Sequence, residues 1–320
     1  MPTLLLTRSD VERLLDPAAL APALREAFRA YGAPGEKRAE RVRATLPGPG
    51  TATILFPGVV AGIPAYSVKV HAKFPGEDPA IRGVLCLHDA ATGALLSLMD
   101  STHLTAVRTG LSGALAADVL ARRDASTVAV VGAGAQGEHQ LRALAMLRRL
   151  DRVWVYDTRP EQARALAARL GQALGVSIVP SATLDDALRG ADIVLVATWA
   201  RTPFLGPALV RAGMHVTTLG ADEPGKAEVA AEVVRDAIFV CDDRELAVRM
   251  GAVGGVGLDA AAIDAELGEV LAGTHPGRTS PGDVTVYGGV GLAFQDLVAA
   301  WLVYGAARAR GVGREIDLLA

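Results

Sequence analysis

The chain has 320 residues, of which 51% are hydrophobic and 21% are charged, and its formal net charge is −3 at pH 7. This composition provides enough apolar material for one large or two medium domains and argues against a disordered chain. The small net charge and the lack of a basic run argue against a nucleic-acid partner, and no apolar run is long enough to span a membrane.

The first 122 residues are predicted to form two helices, a sheet and one longer helix. Ser9 is followed three residues later by Glu12, which is a capping-box pattern for a helix start. The run PAALAPALREAFRAYG predicts a second helix that ends at Gly32. Short apolar runs separated by Gly, Pro and Asp then predict an antiparallel or mixed sheet: RVRATL, TATILF, PAYSVKVHAKF, GVLCLHD and ALLSLMD. The run STHLTAVRTGLSGALAADVLA predicts the longer helix.

From Ser126 the pattern changes to apolar strands that alternate with amphipathic helices. Such alternation predicts a parallel sheet covered by helices on both faces. The predicted strands are TVAVV, RVWVY, VSIV, DIVLVAT, MHVTTL, AIFVC and DVTVY. The Ala-rich run LAFQDLVAAWLVYGAARARG predicts a last helix that packs back on the first domain, because its apolar face needs cover. We therefore expect an α/β domain over residues 123–291 and an α+β domain made of residues 1–122 and 292–320.

The turn after TVAVV carries a glycine pattern that is typical of dinucleotide binding. Gly132, Gly134 and Gly137 form a G-x-G-x-x-G motif between a predicted strand and a predicted helix. Asp157 ends the next strand 20 residues after Gly137, where a carboxylate can bind the adenosine ribose. The context predicts a Rossmann fold with a doubly wound parallel sheet. Asp157 favours NAD, because a carboxylate repels the 2′-phosphate of NADP, whereas Arg159 could pair with that phosphate and permit NADP.

Three further residues follow predicted strands of the same sheet. Thr198 ends DIVLVAT and Gly220 follows MHVTTL, and ligands bind at the carboxyl ends of parallel strands. Both residues could equally be ordinary strand ends. Asp222 lies just beyond, in LGADEPGKAEV, where Pro224 and Gly225 supply a turn that explains it locally. Its place beside the expected nicotinamide instead favours a functional role.

Arg108 occupies an apolar helical stripe, with Leu104, Leu111 and Leu115 at helical spacing from it. An unpaired charge in such a stripe would be costly. Arg108 therefore either pairs with a buried carboxylate or binds the carboxylate of a ligand, and the spacing does not choose between these alternatives.

Lys69 lies in the predicted strand YSVKVHAKF, on the face that also carries His71 and Lys73. The valines occupy the other face, so strand alternation makes Lys69 either a solvent-facing residue or part of a polar cleft. Arg43 in RVRATL leaves the same two alternatives open.

The two cysteines, Cys86 and Cys241, both lie in apolar runs. This placement predicts buried thiols in a reducing compartment and hence a cytoplasmic protein. Neither the cysteines nor the six histidines show the spacing of metal ligands, so no metal site is predicted.

Several longer motifs resemble those of the ornithine cyclodeaminase/mu-crystallin family, in the family's order and along essentially the whole chain. They are PAYSVKV, LHDAATGALLSLMD, LTAVRTGLSGALAA, VVGAGAQG, LGADEPGKAEV, LGEVLAGTHPGRTSPGDVTVY and GVGLAFQDL. The family includes ornithine cyclodeaminases, archaeal-type alanine dehydrogenases, cyclic ketimine reductases and a mammalian thyroid-hormone-binding protein. The resemblance implies a Rossmann domain beside an α+β substrate domain through which members form homodimers.

The same resemblance implies hydride transfer at the α-carbon of a small amino or imino acid. Arg43, Lys69 and Arg108 would hold the substrate carboxylate, and Lys69 would also assist proton transfer. Asp222 would be the acid/base at the nitrogen-bearing carbon, with Glu223 as a solvated neighbour. The expected cofactor-binding residues are Gly132, Gly134, Ala135, Gln136, Gly137, Asp157, Arg159, Thr198, Gly220, Lys226 and Val290.

Two positions depart from the family pattern. Cyclodeaminases carry Glu where TILFP has Ile54, and an aliphatic side chain cannot neutralise the ammonium of ornithine. They also carry a Thr that contacts the cofactor where this chain has PAIRG. Both departures favour an amino-acid dehydrogenase or imino-acid reductase whose substrate has a small or apolar side chain. A true ornithine cyclodeaminase stays the alternative. A cofactor-dependent binding protein without turnover is the alternative from another class.

Overall fold

The structure is a computed structural model that describes residues 2–32, 40–46, 50–74, 76–77 and 79–318. The chain divides into two compact units: residues 1–108 with 292–320, and residues 109–291. The first boundary, after residue 108, falls inside a helix. The predicted boundary, after residue 122, lies beyond the end of that helix.

The described residues contain fifteen strands and ten α-helices, numbered here in chain order. The strands are β1 (Thr3–Leu6), β2 (Glu40–Thr45), β3 (Thr51–Gly58), β4 (Ala65–Lys73), β5 (Ile81–Asp89), β6 (Leu95–Asp100), β7 (Thr127–Val131), β8 (Arg152–Tyr156), β9 (Ser177–Pro180), β10 (Ile193–Val196), β11 (His215–Thr218), β12 (Ile238–Cys241), β13 (Ala265–Glu266), β14 (Thr285–Gly288) and β15 (Arg314–Ile316). The helices are α1 (Arg8–Leu14), α2 (Pro17–Tyr31), α3 (Thr102–Leu120), α4 (Ala135–Leu147), α5 (Pro160–Leu174), α6 (Leu184–Leu188), α7 (Ala231–Asp236), α8 (Arg244–Met250), α9 (Leu267–Ala272) and α10 (Ala293–Arg310).

The first unit is built on a seven-stranded sheet with the order β15-β1-β6-β5-β4-β3-β2. Strands β2 to β6 pair antiparallel with one another, whereas β1 pairs parallel with β6. The sheet is therefore mixed, which is one of the two predicted arrangements. Helix α10 packs on β3, β4 and α2, which confirms that the last helix returns to the first domain. Phe294 of α10 meets Phe28 of α2 edge to face, with ring centroids 5.1 Å apart. This aromatic pair helps to fix α10 against α2.

The two faces of this sheet differ in an unexpected way. On β4 the side chains of Lys69, His71 and Lys73 are buried, whereas Val70 between them is 42% exposed. Residues directly opposite each other in antiparallel strands point to the same face. Val42, Ile54, Val70 and Val84 are successive partners across β2 to β5, and each is between 41% and 54% exposed. The polar face of β4 is therefore the covered one, and its apolar face is the open one.

The second unit is an eight-stranded sheet with the order β13-β12-β14-β11-β10-β7-β8-β9, and all its pairs are parallel. From β7 the chain proceeds through β8 and β9 to one side, then returns to β10 and β11 on the other. The order thus reverses between β7 and β10, which is the topological switch point where such sheets bind ligands. The predicted Rossmann fold is confirmed.

Two helices begin earlier than predicted. Helix α1 is capped by Thr7 rather than Ser9: the Thr7 hydroxyl accepts from the N–H of Asp10, whose carboxylate accepts from the N–H of Thr7. The capping box is real, but both of its members lie two positions earlier than Ser9 and Glu12. Helix α4 begins at Ala135, two residues before the last glycine of the motif, so the helix N-terminus opens directly onto the glycine turn.

The cysteines match their prediction only in part. Cys241 is buried, but Cys86 is half-buried, and neither forms a disulfide. Within the part of the chain that the structure describes, no helix is long and apolar enough to cross a membrane.

Candidate active site

The glycine turn between β7 and α4 accepts no larger residue at two of its three positions. Gly132 has φ of 98°, and a Cβ on it would lie 2.3 Å from the carbonyl oxygen of Ala197. A Cβ on Gly137 would lie 2.1 Å from the carbonyl oxygen of Gly132. A Cβ on Gly134, by contrast, would meet none of the described residues within 4 Å. The absence of a side chain there leaves the backbone open to close approach from outside the turn.

The start of α4 has donors and an acceptor that suit a phosphate-bearing ligand. Gly134 is the N-cap, and no side chain of the described residues caps the helix N-terminus. The first N–H groups after it, from Ala135 and Gln136 onwards, lie at the positive end of the helix dipole. The side-chain Oε1 of Gln136 is buried without a hydrogen-bond partner among the described residues. These features fit a dinucleotide whose pyrophosphate faces the helix N-terminus.

Asp157 is held at the end of β8 by two backbone donors. Its Oδ2 accepts from the N–H of Ala133 at 2.8 Å, and its Oδ1 accepts from the N–H of Arg159 at 2.9 Å. The carboxylate therefore links the glycine turn to the next strand. The Arg159 guanidinium is 68% exposed and lies 3.9 Å from Oδ1 of Asp157. Asp157, which favours NAD, and Arg159, which could permit NADP, therefore lie together at the same strand end.

Thr198 and Gly220 are joined by a residue that sequence reasoning missed, Glu228. Oε1 of Glu228 accepts from the N–H and hydroxyl of Thr198 at 2.6 and 2.7 Å. Its Oε2 accepts from the Thr218 hydroxyl at 2.5 Å and from the N–H of Gly220 at 2.9 Å. Glu228 is fully buried, and burial raises its pKa although these four donors favour the charged form. Glu228 thus ties the ends of β10 and β11 together. The sequence signal for this residue was a carboxylate between the apolar residues of KAEVAAEVV.

Asp222 lies on a turn whose charges are mostly buried. Its Oδ1 is 3.1 Å from Nζ of Lys226, which is also 3.6 Å from Oε1 of Glu223 and lies 4.1 Å from the ring centroid of Trp199. The prediction that Glu223 is solvated is wrong: it is 6% exposed because it pairs with the buried lysine. The Asp222 side chain is 22% exposed, so it is the more accessible of the two carboxylates.

Val290 follows β14 and is held by a second carboxylate that the sequence analysis missed. The N–H groups of Val290 and Gly291 donate to Oδ2 of Asp242 at 2.9 and 2.6 Å. Burial raises the pKa of Asp242 to about 6, although both backbone donors favour its charged form. Its position directly after the apolar run AIFVC was the sequence signal.

In the first unit, Lys69 and Arg108 converge on one carboxylate of α10. Nζ of Lys69 lies 2.6 Å from Oδ2 of Asp296, and Nε of Arg108 donates to Oδ1 of Asp296 at 2.8 Å. Arg108 also donates to Oε1 of Gln295 at 2.6 Å, and Nζ of Lys69 lies 3.4 Å from the hydroxyl of Thr105. All three charged side chains are at most 4% exposed. The alternative of a solvent-facing Lys69 is wrong, because α10 covers that face of β4. For Arg108, the alternative of a buried carboxylate partner is the one that the structure shows, and the partner is Asp296.

Burial lowers the pKa of Lys69 to about 7, with the nearby Arg108 guanidinium as the second cause and Asp296 opposing both. An amine with a pKa near neutrality can take up or release a proton under working conditions. Lys69 is therefore suited both to binding an anion and to moving a proton.

This pKa leads to the first prediction. In protein labelled with [6-¹³C]lysine, we expect the Cε resonance of Lys69 to titrate with a midpoint of about 7. Replacing Asp296 by Asn should lower that midpoint, because the ammonium loses the charge that stabilises it. The chain has only four lysines, so the Lys69→Met variant assigns the signal. A midpoint near 10, or one that Asp296→Asn leaves unchanged, would contradict this account.

Arg43 and Ile54 lie on opposite faces of the same sheet. Arg43 pairs with Thr53, which pairs with His71, so Arg43 shares the face of β4 that carries Lys69. Ile54 pairs with Val70 and lies on the open face. Ile54 is therefore turned away from Lys69, and its position beside the substrate side chain stays a prediction. The strand period explains this orientation, since one residue along a strand reverses the face.

Comparisons with known proteins find relatives along essentially the whole chain. The sequence profile of the ornithine cyclodeaminase/mu-crystallin family matches residues 1–311. The alanine dehydrogenase of Archaeoglobus fulgidus is 31% identical, over 99% of this chain and 98% of that protein. The structure of an archaeal alanine dehydrogenase dimer with bound NAD has a TM-score of 0.93 at 31% identity, over 100% of both chains. The Δ1-pyrroline-2-carboxylate reductase of Thermococcus litoralis, solved with NADH and L-proline, has a TM-score of 0.93 at 30% identity, over 98% of this chain and 100% of that one.

Proposed function

The chain belongs to the ornithine cyclodeaminase/mu-crystallin family, and on that premise we propose that it is an NAD-dependent amino-acid dehydrogenase or imino-acid reductase. The observation that carries the proposal is the buried pair of Lys69 and Arg108 on Asp296, with a lysine pKa near 7. The two cations provide charge for a substrate carboxylate, and the lysine is poised for the proton transfer that interconverts amine and imine.

We assign the substrate carboxylate to Arg43, Lys69 and Arg108. Fixing the carboxylate orients the α-carbon and removes much of the entropic barrier to its reaction. Asp222 accepts a proton as the amine becomes an imine and returns it in the reverse direction. Its partial exposure and its contact with Lys226 at 3.1 Å support this role.

NAD, when bound, would supply the hydride chemistry at the α-carbon. The turn of Gly132, Gly134 and Gly137, with Ala135 and Gln136, is suited to the pyrophosphate, and Asp157 to the adenosine ribose. Thr198, Gly220, Lys226 and Val290 complete the proposed cofactor set at the carboxyl ends of the parallel strands. NAD is favoured over NADP because Asp157 is anchored beside the glycine turn while Arg159 points largely to solvent. A cytoplasmic location stays a prediction.

The proposal is tested by a substrate screen with NAD(H) and NADP(H). We expect NADH oxidation with an imino acid such as pyrroline-2-carboxylate, or NAD reduction with an α-amino acid such as alanine. Conversion of ornithine to proline and ammonia without net change in NADH would instead indicate a cyclodeaminase. NADH binding without turnover of any amino or imino acid would contradict the proposal and favour a binding protein.

We also propose that the chain forms a homodimer through the open face of the first unit's sheet. The exposed row of Val42, Ile54, Val70 and Val84 spans four strands, and a contiguous apolar surface of this kind marks an interface. The related archaeal alanine dehydrogenase is a dimer.

This dimer leads to the second prediction. We expect Val70→Glu to give a monomer, measured by light scattering after size-exclusion chromatography, because the substitution places a charge at the centre of the apolar row. Val179→Glu is the matched control, since Val179 is 40% exposed on β9 in the other unit. A Val70→Glu protein that stays dimeric, or a Val179→Glu protein that also dissociates, would refute this interface.

A further inference from the structure

Lysine is used in this chain in an unusual way. The sequence has four lysines, and the three that the structure describes, Lys69, Lys73 and Lys226, are each at most 4% exposed. Lysine is normally a surface residue and is almost never fully buried without a specific partner. Two roles have been assigned above, to Lys69 on the substrate and to Lys226 beside Asp222. Lys73 has no place in the proposed reaction.

Lys73 continues a row of polar side chains that starts at Lys69. Lys69, His71 and Lys73 occupy alternate positions of β4 and are all buried on its covered face. Arg41 lies in register with Lys69 through Leu55 and is 9% exposed. Alternate residues of a strand are about 6.7 Å apart. The row therefore continues cationic side chains beyond Lys69 along the strand.

His71 lies in the middle of this row, and its hydrogen-bonding capacity is unused. The residue is 5% exposed, and neither of its buried ring nitrogens has a hydrogen-bond partner among the described residues. Burial lowers the pKa of His71 to about 2, and the other causes are the charges of Lys69, Arg41, Lys73 and Arg108. The ring is thus neutral, keeps one N–H to donate, and experiences a positive potential. A buried polar group of this kind calls for a ligand.

We infer that the substrate is a dicarboxylic 2-imino or 2-amino acid, with His71 and Lys73 binding its side-chain carboxylate. The spacing along β4 lets a four- or five-carbon dicarboxylate place its α-carboxylate at Lys69 and its second carboxylate at His71 and Lys73. The same positive row repels a cationic side chain such as that of ornithine or lysine.

This inference rests on the proposed function and specifies its substrate. In the reductive direction, C2 of the imine takes a hydride from NADH and its nitrogen takes a proton, which gives the 2-amino dicarboxylate and NAD⁺. The side-chain carboxylate forms no bond in this step. Its binding energy serves only for selection and orientation.

The test compares each dicarboxylic amino acid with its neutral amide, which has nearly the same shape. We measure kcat/KM with NAD for aspartate against asparagine, and for glutamate against glutamine. For the better pair, we expect the acid to exceed the amide by about 10- to 100-fold, the range for a charged hydrogen bond. Lys73→Met should reduce that ratio by about tenfold, and Lys73→Arg should keep most of it. Arg8→Met is the matched control, because Arg8 is an exposed cation on α1 and should leave the ratio unchanged.

A binding measurement keeps the inference separate from the proposed function. With NADH present, succinate or glutarate should bind at least about tenfold more tightly than butyrate or pentanoate in calorimetry. Turnover of alanine or proline with acid-to-amide ratios near one, and no preference for dicarboxylates, would overturn the inference and leave the proposed function standing. Tight, Lys73-dependent dicarboxylate binding without turnover of any amino or imino acid would overturn the proposed function and support the site.

Discussion

Replacing Asp222 by Asn is expected to lower kcat by about 10²- to 10⁴-fold, the contribution typical of a positioned acid/base. Asn has nearly the same shape but cannot accept a proton. Lys226 keeps its contacts with Glu223 and the Trp199 ring in the variant, so the turn should keep its conformation. The dissociation constant of NADH, measured by fluorescence titration, should therefore change by less than about threefold while turnover is lost.

Glu223→Gln is the matched control for Asp222→Asn. Both carboxylates contact the same lysine, at 3.6 and 3.1 Å, but Glu223 is 6% exposed and has no proposed role at the substrate. We expect its neutralisation to reduce kcat by less than about tenfold, as for loss of a single supporting contact. Equal losses in the two variants would mean that the charge balance at Lys226, and not proton transfer by Asp222, limits turnover. Near-normal turnover of Asp222→Asn would remove the assigned role altogether.

The Rossmann unit could be predicted from the sequence because its signals are local. Gly132, Gly134 and Gly137 all belong to one short turn, and the apolar run TVAVV forms the buried strand that leads into it. Even here the supporting carboxylates were missed. Their local sequence signals mark Glu228 and Asp242 as unusual, but they do not encode the backbone partners, which lie 30 and 48 residues away along the chain.

The site of the first unit could be predicted only in part. Strand alternation correctly separated the faces of β4, but it could not say which face is covered, because that depends on where α10 packs. The usual rule puts valines inside and lysines outside. In β4 this rule is reversed: the polar row lies under a helix, and the apolar row lies at a proposed dimer interface. The partner of Arg108 lies 188 residues away, in a helix that composition alone marks as apolar.

Asp296→Asn is expected to have the largest effect on stability. The substitution leaves Lys69 and Arg108 buried side by side without their shared counter-charge, and removing one partner of a buried ion pair costs about 3–5 kcal/mol. We expect a loss of this size in the free energy of unfolding, measured by urea denaturation at pH 6. Asp185→Asn is the matched control: Asp185 pairs with Arg189 at 2.8 Å, but these side chains are 64% and 71% exposed. Loss of that exposed pair should leave the free energy of unfolding nearly unchanged.

The pH dependence separates loss of charge from loss of packing in Asp296→Asn. Lys69 has a folded-state pKa of about 7, below its value in the unfolded chain, so the unfolded state binds more protons and stability rises with pH above about 7. In the variant the pKa of Lys69 is lower still, so the stability of the variant begins to rise at a lower pH. The difference between the two proteins should therefore be larger at pH 6 than at pH 8, where Lys69 is mostly neutral in both. A difference that is independent of pH would mean that Asp296 acts through packing and hydrogen bonding rather than by balancing the charge of Lys69.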